Sequence, residues 1–515
     1  MAMDHSEQDQ SATIAFLSAP GVERIDTHGA MIFLGPDTVY KLKRAVDLGY
    51  LDFSTLALRE AACRAELALN RRTAPDLYCG LRAIRRGADG APGWGDEGEV
   101  IDWVVVMCRF PAQDLLTQVA ARGALSQPLL IALADGVADF HGKAQVLFDA
   151  DGAARMREVI VGNTRSFAAI APDLLPPDKV AHLQAQSLEA LAQVADLLDA
   201  RAREGKVRHG HGDLHLANIC LWQGRPVPFD CLEFSAELAT TDLLYDLAFL
   251  LMDLWHKGYA QAANLVANRY ADRMGEEDGW PALPLFLSVR AAIRAHVGAA
   301  TAARLSGAAR EEKAGEALAY LDAALEFLRP GAAGLIAVGG LSGTGKSTLA
   351  GALAYRIGAA PGARWLRSDV IRKSLAGVAP EDRLPSETYT REASEQVYAA
   401  MVERAGAMLA RGWPVVADAV FAAPDERAAI ADAAHAADAP FLGLWLTADG
   451  ATMQRRVAAR RGDASDADAA VVTRQMAYDC GDLSDWCVLA ADGSRDAVVQ
   501  QALEAAQGLF ILQKP

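Results

Sequence analysis

Apolar positions change their rhythm along this chain, and the changes divide it. Short alternating stretches come first. Glu23–Ile25, Ala30–Leu34 and Thr38–Lys43 read as strands, with turns at His28-Gly29 and Gly35-Pro36-Asp37. A helical stretch from Leu56 to Arg71 follows, and Val100 to Met107 reads as a further strand. Between them, Gly87 to Gly98 is glycine-rich and acidic, the pattern of a solvated hairpin connection. Beyond about residue 110 the period is mainly helical, up to a long Ala/Leu/Glu helix (about Glu311 to Leu328) that Arg329-Pro330-Gly331 stops. After that break, five short apolar runs alternate with helical patterns: Leu335–Val338, Trp365–Leu366, Val415–Ala417, Phe441–Leu446 and Trp486–Leu489. Strand and helix in alternation predict a parallel sheet with right-handed crossovers. No internal repeat is visible.

The pattern outlines a polar tail (1–20), a small β-rich lobe (about 21–110), a helical lobe (about 111–329), a linker (330–334) and an α/β region (335–515). The first region is of the α+β class. With 515 residues, 52% hydrophobic and 23% charged, the chain is long and apolar enough for several globular cores. It has no run of about 18 apolar residues, which argues against a membrane span. Met1 to Gln10 is polar and acidic, without the basic and apolar regions of a signal peptide. Seven cysteines form no CxxC pair and read as reduced thiols, so a cytoplasmic location is expected.

Charge narrows the partners. The net charge is −16; from Gly331 onward 18 Lys+Arg face 22 Asp+Glu, and the remainder carries 32 against 44. Neither part has the basic excess of a nucleic-acid binder. A nucleic-acid partner is therefore not expected.

The sharpest local signal is Gly340-Leu341-Ser342-Gly343-Thr344-Gly345-Lys346-Ser347, between a predicted strand and a predicted helix that continues through Thr348 and Leu349. A glycine-rich turn in that place points successive N–H groups at one spot, where the helix's positive end adds to the field. Such a spot binds nucleotide phosphates. Lys346 is expected to reach the β- and γ-phosphates, and the Ser347 hydroxyl to complete a magnesium shell. Two further predicted strands end in carboxylates, Asp369 and Asp418, where a parallel sheet gathers its ligands. Asp369, with Arg372 one turn on, is a candidate for a substrate hydroxyl and an anionic group; the bland alternative for Asp369 is a helix cap. Asp418 is a candidate metal-water ligand or substrate contact. Arg455, Arg456, Arg460 and Arg461 form a cluster in which Arg456 and Arg460 share a helix face, either a phosphate-closing lid or a solvated surface. Asp492-Gly493-Ser494 is placed near the adenine.

A second signal is His211-Gly212-Asp213-Leu214-His215-Leu216-Ala217-Asn218. Asp213 and Asn218 are five apart, the separation found in the catalytic loop of protein kinases. Phosphoryl transfer needs a carboxylate beside the incoming hydroxyl and oxygen ligands for the metal on the phosphates. Asp213 and Asn218 suit these two roles, and Asp230, after an apolar run, suits a second metal ligand. Of Asp242, Asp246 and Asp253, Asp246 is a candidate brace for the catalytic loop and the other two read as surface charges. His209 and His215 read as structural hydrogen-bonders.

The stretch resembles the aminoglycoside phosphotransferase family, whose H-G-D-x-H-x-x-N motif is matched in full, and the resemblance extends over about residues 20 to 325. It implies a protein-kinase-like fold, Asp213 as catalytic base and Asp230 as second metal aspartate. Lys41 then stands where a strand lysine meets the α- and β-phosphates, with Glu66 to hold it; Lys43 and Glu60 are rivals. Met107-Cys108-Arg109-Phe110 suits an adenine hinge. The chain departs from the kinase pattern in having no G-x-G-x-x-G near His28-Gly29. Residues 334 to 515 look like small P-loop kinases: gluconate kinase, chloramphenicol phosphotransferase, zeta toxin and polynucleotide 5′-kinases. The D-x-x-R of Asp369 and Arg372 implies Asp369 as base. Together the resemblances imply an ATP- and Mg2+-dependent phosphotransferase acting on a hydroxyl. The same resemblances imply a small-molecule acceptor. A non-catalytic first half that senses a nucleotide or metabolite and regulates the second half, and a polynucleotide 5′-end kinase in the second half, are the alternatives.

Overall fold

The computed structural model describes residues 9–47, 51–148, 151–459 and 464–512. They gather into two compact units. One is built from the described residues up to 155 together with 199–250, the other from 156–198 together with 251–512.

The first unit contains a six-stranded antiparallel sheet: β1 (Glu23–Asp26), β2 (Ala30–Leu34), β3 (Thr38–Lys43), β4 (Tyr78–Arg86), β5 (Pro92–Gly93) and β6 (Glu99–Cys108), in the order β1-β2-β3-β6-β4-β5. Alternation along β2, β3 and β6 sends side chains to two apolar layers. Met31, Phe33, Leu42, Ile84 and Val104 fill one layer, which also takes Leu17 from the helix Ser11–Leu17. Val39, Tyr78, Val105 and Met107 fill the other, with Cys63 from the helix Leu56–Asn70. That helix starts where Thr55 accepts the Leu58 N–H, the usual way to satisfy an open first turn. The sequence pattern assigns no strand to 78–86. Arginines at 82, 85 and 86 break the alternation of β4, and only pairing with β6 reveals it. Two small ribbons also belong to the unit. β7 (Val207–His209) pairs with β10 (Thr240–Asp242), and β8 (Ile219–Trp222) with β9 (Arg225–Pro228).

The second unit is built on a parallel five-stranded sheet: β11 (Leu335–Gly340), β12 (Arg364–Arg367), β13 (Val415–Asp418), β14 (Phe441–Thr447) and β15 (Cys487–Ala490), ordered β12-β13-β11-β14-β15. All five predicted runs are strands of this sheet, the last displaced by one residue. Every residue of β11 and β13 is buried, which explains why both read as unbroken apolar runs.

The edge strand β12 is not left open. The helix Ala260–Met274 lies along it and supplies side-chain partners. Asn268 Oδ1 accepts the Trp365 N–H at 2.7 Å, and Asn264 Nδ2 donates to the carbonyls of Pro361 (2.9 Å) and Ala363 (3.0 Å). Arg364, fully buried on β12, donates to Glu277 (2.7 Å) and Asn268 (2.8 Å) and pairs with Asp272. Arg269 holds Glu381 through two bonds, at 2.9 and 3.2 Å. Amide and guanidinium groups thus take the place of a sixth strand and cover an edge that would otherwise invite pairing. Among the described residues no helix is long and apolar enough to cross a membrane.

Candidate functional site

In the first unit the strand period puts Lys41 and Lys43 on one face of β3, both buried. Glu66, wholly buried on the helix Leu56–Asn70, takes both: Lys41 Nζ lies 2.8 Å from Oε1 and Lys43 Nζ 2.5 Å from Oε2. Lys41 also pairs with Asp230, and Lys43 with Glu233. Two buried cations therefore meet three carboxylates, of which Asp230 alone among the three opens to solvent. Burial alone would push the Glu66 carboxyl up, but the two lysines overcome it and hold it down at about 2. The Lys41 ammonium is raised despite burial, by Asp230 first and Glu66 next. Lys41 and Lys43 are thus partners in one cluster rather than alternatives. Glu60 is not at the site; it pairs with Arg64 at 2.7 Å on the exposed side of the same helix.

The loop after β7 is held from below by one carboxylate. Asp246, fully buried, accepts the N–H groups of His211 (2.7 Å) and Gly212 (2.8 Å), and His141 Nε2 lies 3.1 Å away. The fit allows no larger residue at two positions. A Cβ on Gly210 would fall 2.5 Å from Asp246 Oδ2, and Gly212 has φ +82° with Leu232 Cβ 2.8 Å from where its own Cβ would be. His211 Nδ1 accepts the Asp213 N–H at 3.4 Å and Nε2 lies 3.0 Å from the Phe229 carbonyl, so the ring ties the loop to the end of the β8–β9 ribbon.

Asp213 is more than a third exposed, with Asn218 Nδ2 donating to its Oδ2 at 2.7 Å and His215 Nε2 at 3.4 Å. His215 Nδ1 takes the Ala217 N–H, so the proton that faces Asp213 sits on Nε2. Asn218 and Asp230 lie at the same open end of the β8–β9 ribbon, where the Phe229 N–H meets the Asn218 carbonyl at 2.9 Å. Asp230 has φ +63°, a left-handed backbone that aspartate tolerates, and its N–H donates to the Tyr78 hydroxyl. Asp213, Asn218, Asp230, Lys41 and Glu66 are therefore brought together.

Asp242 and Asp253, read from the sequence as surface charges, are both buried. Asp242 takes Arg201 in a two-bond grip (2.8 and 2.9 Å), and Asp253 takes Lys257 at 2.9 Å. Amphipathic spacing misassigned them because cations neutralise them, buried Arg201 from far off in sequence and exposed Lys257 from one turn on. Beside the end of β6, Val39 and Met107 with partly buried Ile32, Leu34, Phe110 and Phe229 form an apolar cluster, and the Phe110 and Phe229 rings meet edge-on at 5.4 Å.

In the second unit the glycine-rich loop is held open by backbone. Gly340 (φ +133°) and Gly343 (φ +88°) leave no space for a Cβ: each would stand 2.5 Å from a carbonyl oxygen, of Leu446 and Met453 respectively. Gly345 is left-handed too, and the helix Lys346–Ala354 starts directly after it. Thr344 is buried and its hydroxyl donates to the Leu341 carbonyl (2.8 Å); Lys346 Nζ folds back to the same carbonyl at 3.1 Å. The Ser342 N–H donates to Gln475 Oε1 at 2.7 Å. Thr348 is exposed on the helix.

Asp418, buried at the end of β13, is hydrogen-bonded to the Ser347 hydroxyl; burial pushes its carboxyl up against the pull of Arg367 and Lys346. Asp369 opens the helix Ser368–Leu375. Arg372 stacks over Tyr389 at 5.0 Å and donates to Ser394 at 3.3 Å, while its Nη1 is buried with no hydrogen-bond partner among the described residues. Arg456 reaches the Thr344 carbonyl (3.3 Å) and the Ala491 carbonyl (2.7 Å), linking the loop to the end of β15. Asp492 accepts the Asp449 N–H at 2.9 Å, and Ser494 caps the last helix. Arg460 and Arg461 lie outside the described residues.

Sequence reasoning passed over Gln475, Glu233 and the Lys373–Asp466 pair (2.7 Å), in which Lys373 is fully buried.

Magnesium takes hard oxygen donors and usually only one or two carboxylates from the protein. The donor sets fit that chemistry: Asn218 with Asp230 in one site, Ser347 with Asp418 in the other. Among the described residues no cluster of three or more His, Cys, Asp or Glu side chains is ready to hold a metal. Phosphate oxygens would have to complete either shell.

The first unit's lobe and loop have a protein-kinase-like fold, and the parallel sheet with its glycine loop has the fold of a P-loop nucleoside triphosphatase. Residues 335–478 match the family described as AAA domain. The uncharacterized protein Rv2004c of Mycobacterium tuberculosis is 30% identical over 498 residues, covering 94% of this chain and 95% of that protein, and Mb2027c of Mycobacterium bovis matches equally. The chain belongs to the family of these proteins. Solved structures similar to parts of the chain include a gluconokinase from Sinorhizobium meliloti (22% identity, 33% of this chain and 90% of that one, TM-score 0.25). An aminoglycoside phosphotransferase from Streptomyces rimosus (20%, 54% and 96%, TM-score 0.32) and a choline/ethanolamine kinase family protein from Mesorhizobium loti (15%, 61% and 90%, TM-score 0.36) are others.

Proposed function

We propose that the chain is a cytoplasmic ATP- and Mg2+-dependent phosphotransferase with two nucleotide sites, each directing a γ-phosphoryl group at the hydroxyl of a small molecule. The two modules are 21–329 and 335–515, joined at 330–334. The observation that carries the reading is the grouping of Asp213, Asn218 and Asp230 around a loop clamped by Asp246, with Lys41 and Glu66 in the same unit.

In the first site Lys41 binds the α- and β-phosphates once it leaves Asp230, and Glu66 keeps it aligned. Asn218 and Asp230 would hold magnesium, which supplies charge neutralisation across the phosphates. Asp213 orients the acceptor hydroxyl and takes its proton late in a loose transition state, so an ordinary carboxylate suffices. The apolar cluster around Phe110 and Phe229 receives the adenine. In the second site the amides from Gly343 to Ser347 cradle the phosphates, Lys346 swings from the Leu341 carbonyl to the γ-phosphate, and Ser347 with Asp418 would hold the ion. Asp369 accepts the acceptor's proton, and Arg372 steadies the transferring group with its unpaired Nη1. Arg456 closes on the nucleotide, with Arg460 as its companion in the same role.

A screen of ATP consumption across hydroxyl-bearing metabolites tests the reading, run on wild type, Asp213→Ala and Lys346→Ala. The expected result is one acceptor-dependent activity lost in each variant. Unchanged turnover in both variants across the whole panel overturns it. One observation favours a second reading, in which the first module is a nucleotide or metabolite sensor: the two lysines of its site, Lys41 and Lys43, are already engaged by carboxylates. Nucleotide binding there without turnover, together with an altered rate at the second site, would select that reading.

A further inference from the structure

Two cysteines that the chain keeps 29 positions apart meet at the end of β6. Their sulfurs, Cys79 Sγ and Cys108 Sγ, lie 3.1 Å apart, close enough for one thiol to donate to the other. The contact has a local cause. The β4–β6 ladder pairs Tyr78 with Met107 and then Gly80 with Val106, so Cys79 is an extra residue in a bulge. A bulge re-aims the side chain it carries. Arg71 pins the bulge, donating to the carbonyls of Tyr78 (3.2 Å) and Cys79 (2.8 Å). Cys79 is exposed and Cys108 half-buried, whereas Cys63 and Cys220 are sealed in the core.

We infer that Cys79 and Cys108 form a modification site for hydroperoxides, closing into a disulfide that staples the β4 bulge to the end of β6. Its effect on nucleotide rests on the proposed reading of residues 107–110 as the adenine edge.

The chemistry is directional. Cys79 is the exposed sulfur that peroxide meets first, while the hydrogen bond to Cys79, and then burial, push the Cys108 thiol up to about 11 and keep its proton in place. Cys79 Sγ attacks the peroxide oxygen, the O–O bond breaks, and an alcohol or water leaves with a proton as Cys79 becomes a sulfenic acid. Cys108 Sγ, already in contact, then attacks Cys79 Sγ. The S–O bond breaks, hydroxide departs with the Cys108 proton as water, and the disulfide forms. Two thiols are oxidised by two electrons and one peroxide is reduced.

Cys108 belongs to the same apolar cluster as Phe110 and Phe229. A staple there fixes the strand end from which the pocket is built, and the expected effect on ATP-analogue affinity at the first site is a loss on the order of fivefold or more.

The full-length chain treated with hydrogen peroxide, then alkylated and digested, should yield a peptide linking residues 79 and 108. Intact mass should fall by about 2 Da, and dithiothreitol should reverse the change. Cys79→Ser and Cys108→Ser, near-isosteric changes, should each abolish the link. Sulfinic acid at Cys79 with Cys108 still free to alkylate, or no link at all, overturns the site. A link that forms while analogue binding in a Lys346→Ala background stays unchanged overturns its effect on the adenine edge.

Discussion

The two candidate sites hold their charges by opposite means. In the first, the groups that matter are side chains held by other side chains: Lys41 and Lys43 by Glu66, Asp213 by Asn218 and His215, the whole loop by Asp246. In the second, backbone makes the cradle. Gly340, Gly343 and Gly345 fix its shape, and side chains such as Lys346, Ser347 and Asp418 bring their chemistry to a frame already set. A site made of buried ion pairs draws its geometry from distant parts of the chain, and its function and stability are bound together. A site made of backbone is written in eight consecutive residues and can lose a side chain without losing its fold.

The largest effects concern turnover. Asp213→Asn keeps the size and the bond to Asn218 but cannot accept a proton, so the first activity should fall about 10³-fold. Lys346→Ala should remove the second activity to a similar extent. Each loss should leave the other activity within a factor of two or so. Initial rates with each site's own acceptor check this, and a single variant that silences both would break the division between the sites.

Stability comes next, and here the sites should separate. Glu66→Gln leaves two buried ammonium groups facing a neutral amide. Breaking such a buried pair costs about 3–5 kcal/mol. Ser347→Ala removes a half-exposed hydroxyl and should cost about 1 kcal/mol or less. Urea midpoints of the two variants give the comparison directly. Equal shifts would mean that the first site's ion cluster is no more structural than the second site's loop.

Acid should unfold by way of the buried pairs rather than the cradle. Glu277, gripped by Arg364 and Arg404, is held down at about 2 despite burial, which acts the other way. Its folded value lies below its ordinary 4.5, so its stabilisation is complete above that pH and is lost as pH falls from there towards 2. Asp418 has the opposite sign. Burial raises it, so its charged form opposes folding, and that penalty relaxes as acid protonates it. Glu277→Gln should therefore lower stability at neutral pH and flatten its decline below pH 4.5, as followed by circular dichroism. Asp418→Asn should do neither.

The same contrast explains what could be read in advance. The glycine loop was legible because its function needs adjacent amides, and adjacency is what a sequence displays. The five strands of its sheet were legible because burial on both faces makes plain apolar runs. In the first site only the Asp213–Asn218 spacing was local. Lys41 was separable from a surface lysine only by analogy, and Lys43 stood as its rival because a strand period shows a shared face, not a shared carboxylate. Strand β4 hid behind its arginines. Asp242 and Asp253 hid because a buried acid and a surface acid look alike until the partner, Arg201 or Lys257, is known. The side-chain cover on β12 from Asn264, Asn268 and Arg364 was beyond any local pattern, since its two halves lie almost a hundred residues apart.

The smallest effect sharpens the comparison most, because it concerns a side chain that holds the backbone cradle from outside. Gln475 accepts the Ser342 N–H, two residues into the loop and ahead of the amides expected to meet phosphate. If that bond shapes the loop, Gln475→Ala should weaken binding of a non-hydrolysable ATP analogue by about two- to tenfold, the worth of one net hydrogen bond. Gln475→Glu keeps an acceptor but adds a negative charge beside the phosphates, so it should bind more weakly still, and salt should narrow the gap. Calorimetric titration of both variants distinguishes the cases. Tighter binding in Gln475→Ala would mean that the glutamine occupies an amide the nucleotide wants. The helix Ala469–Gln475 would then be a closure that has to withdraw, and the second site would also depend on a distant side chain.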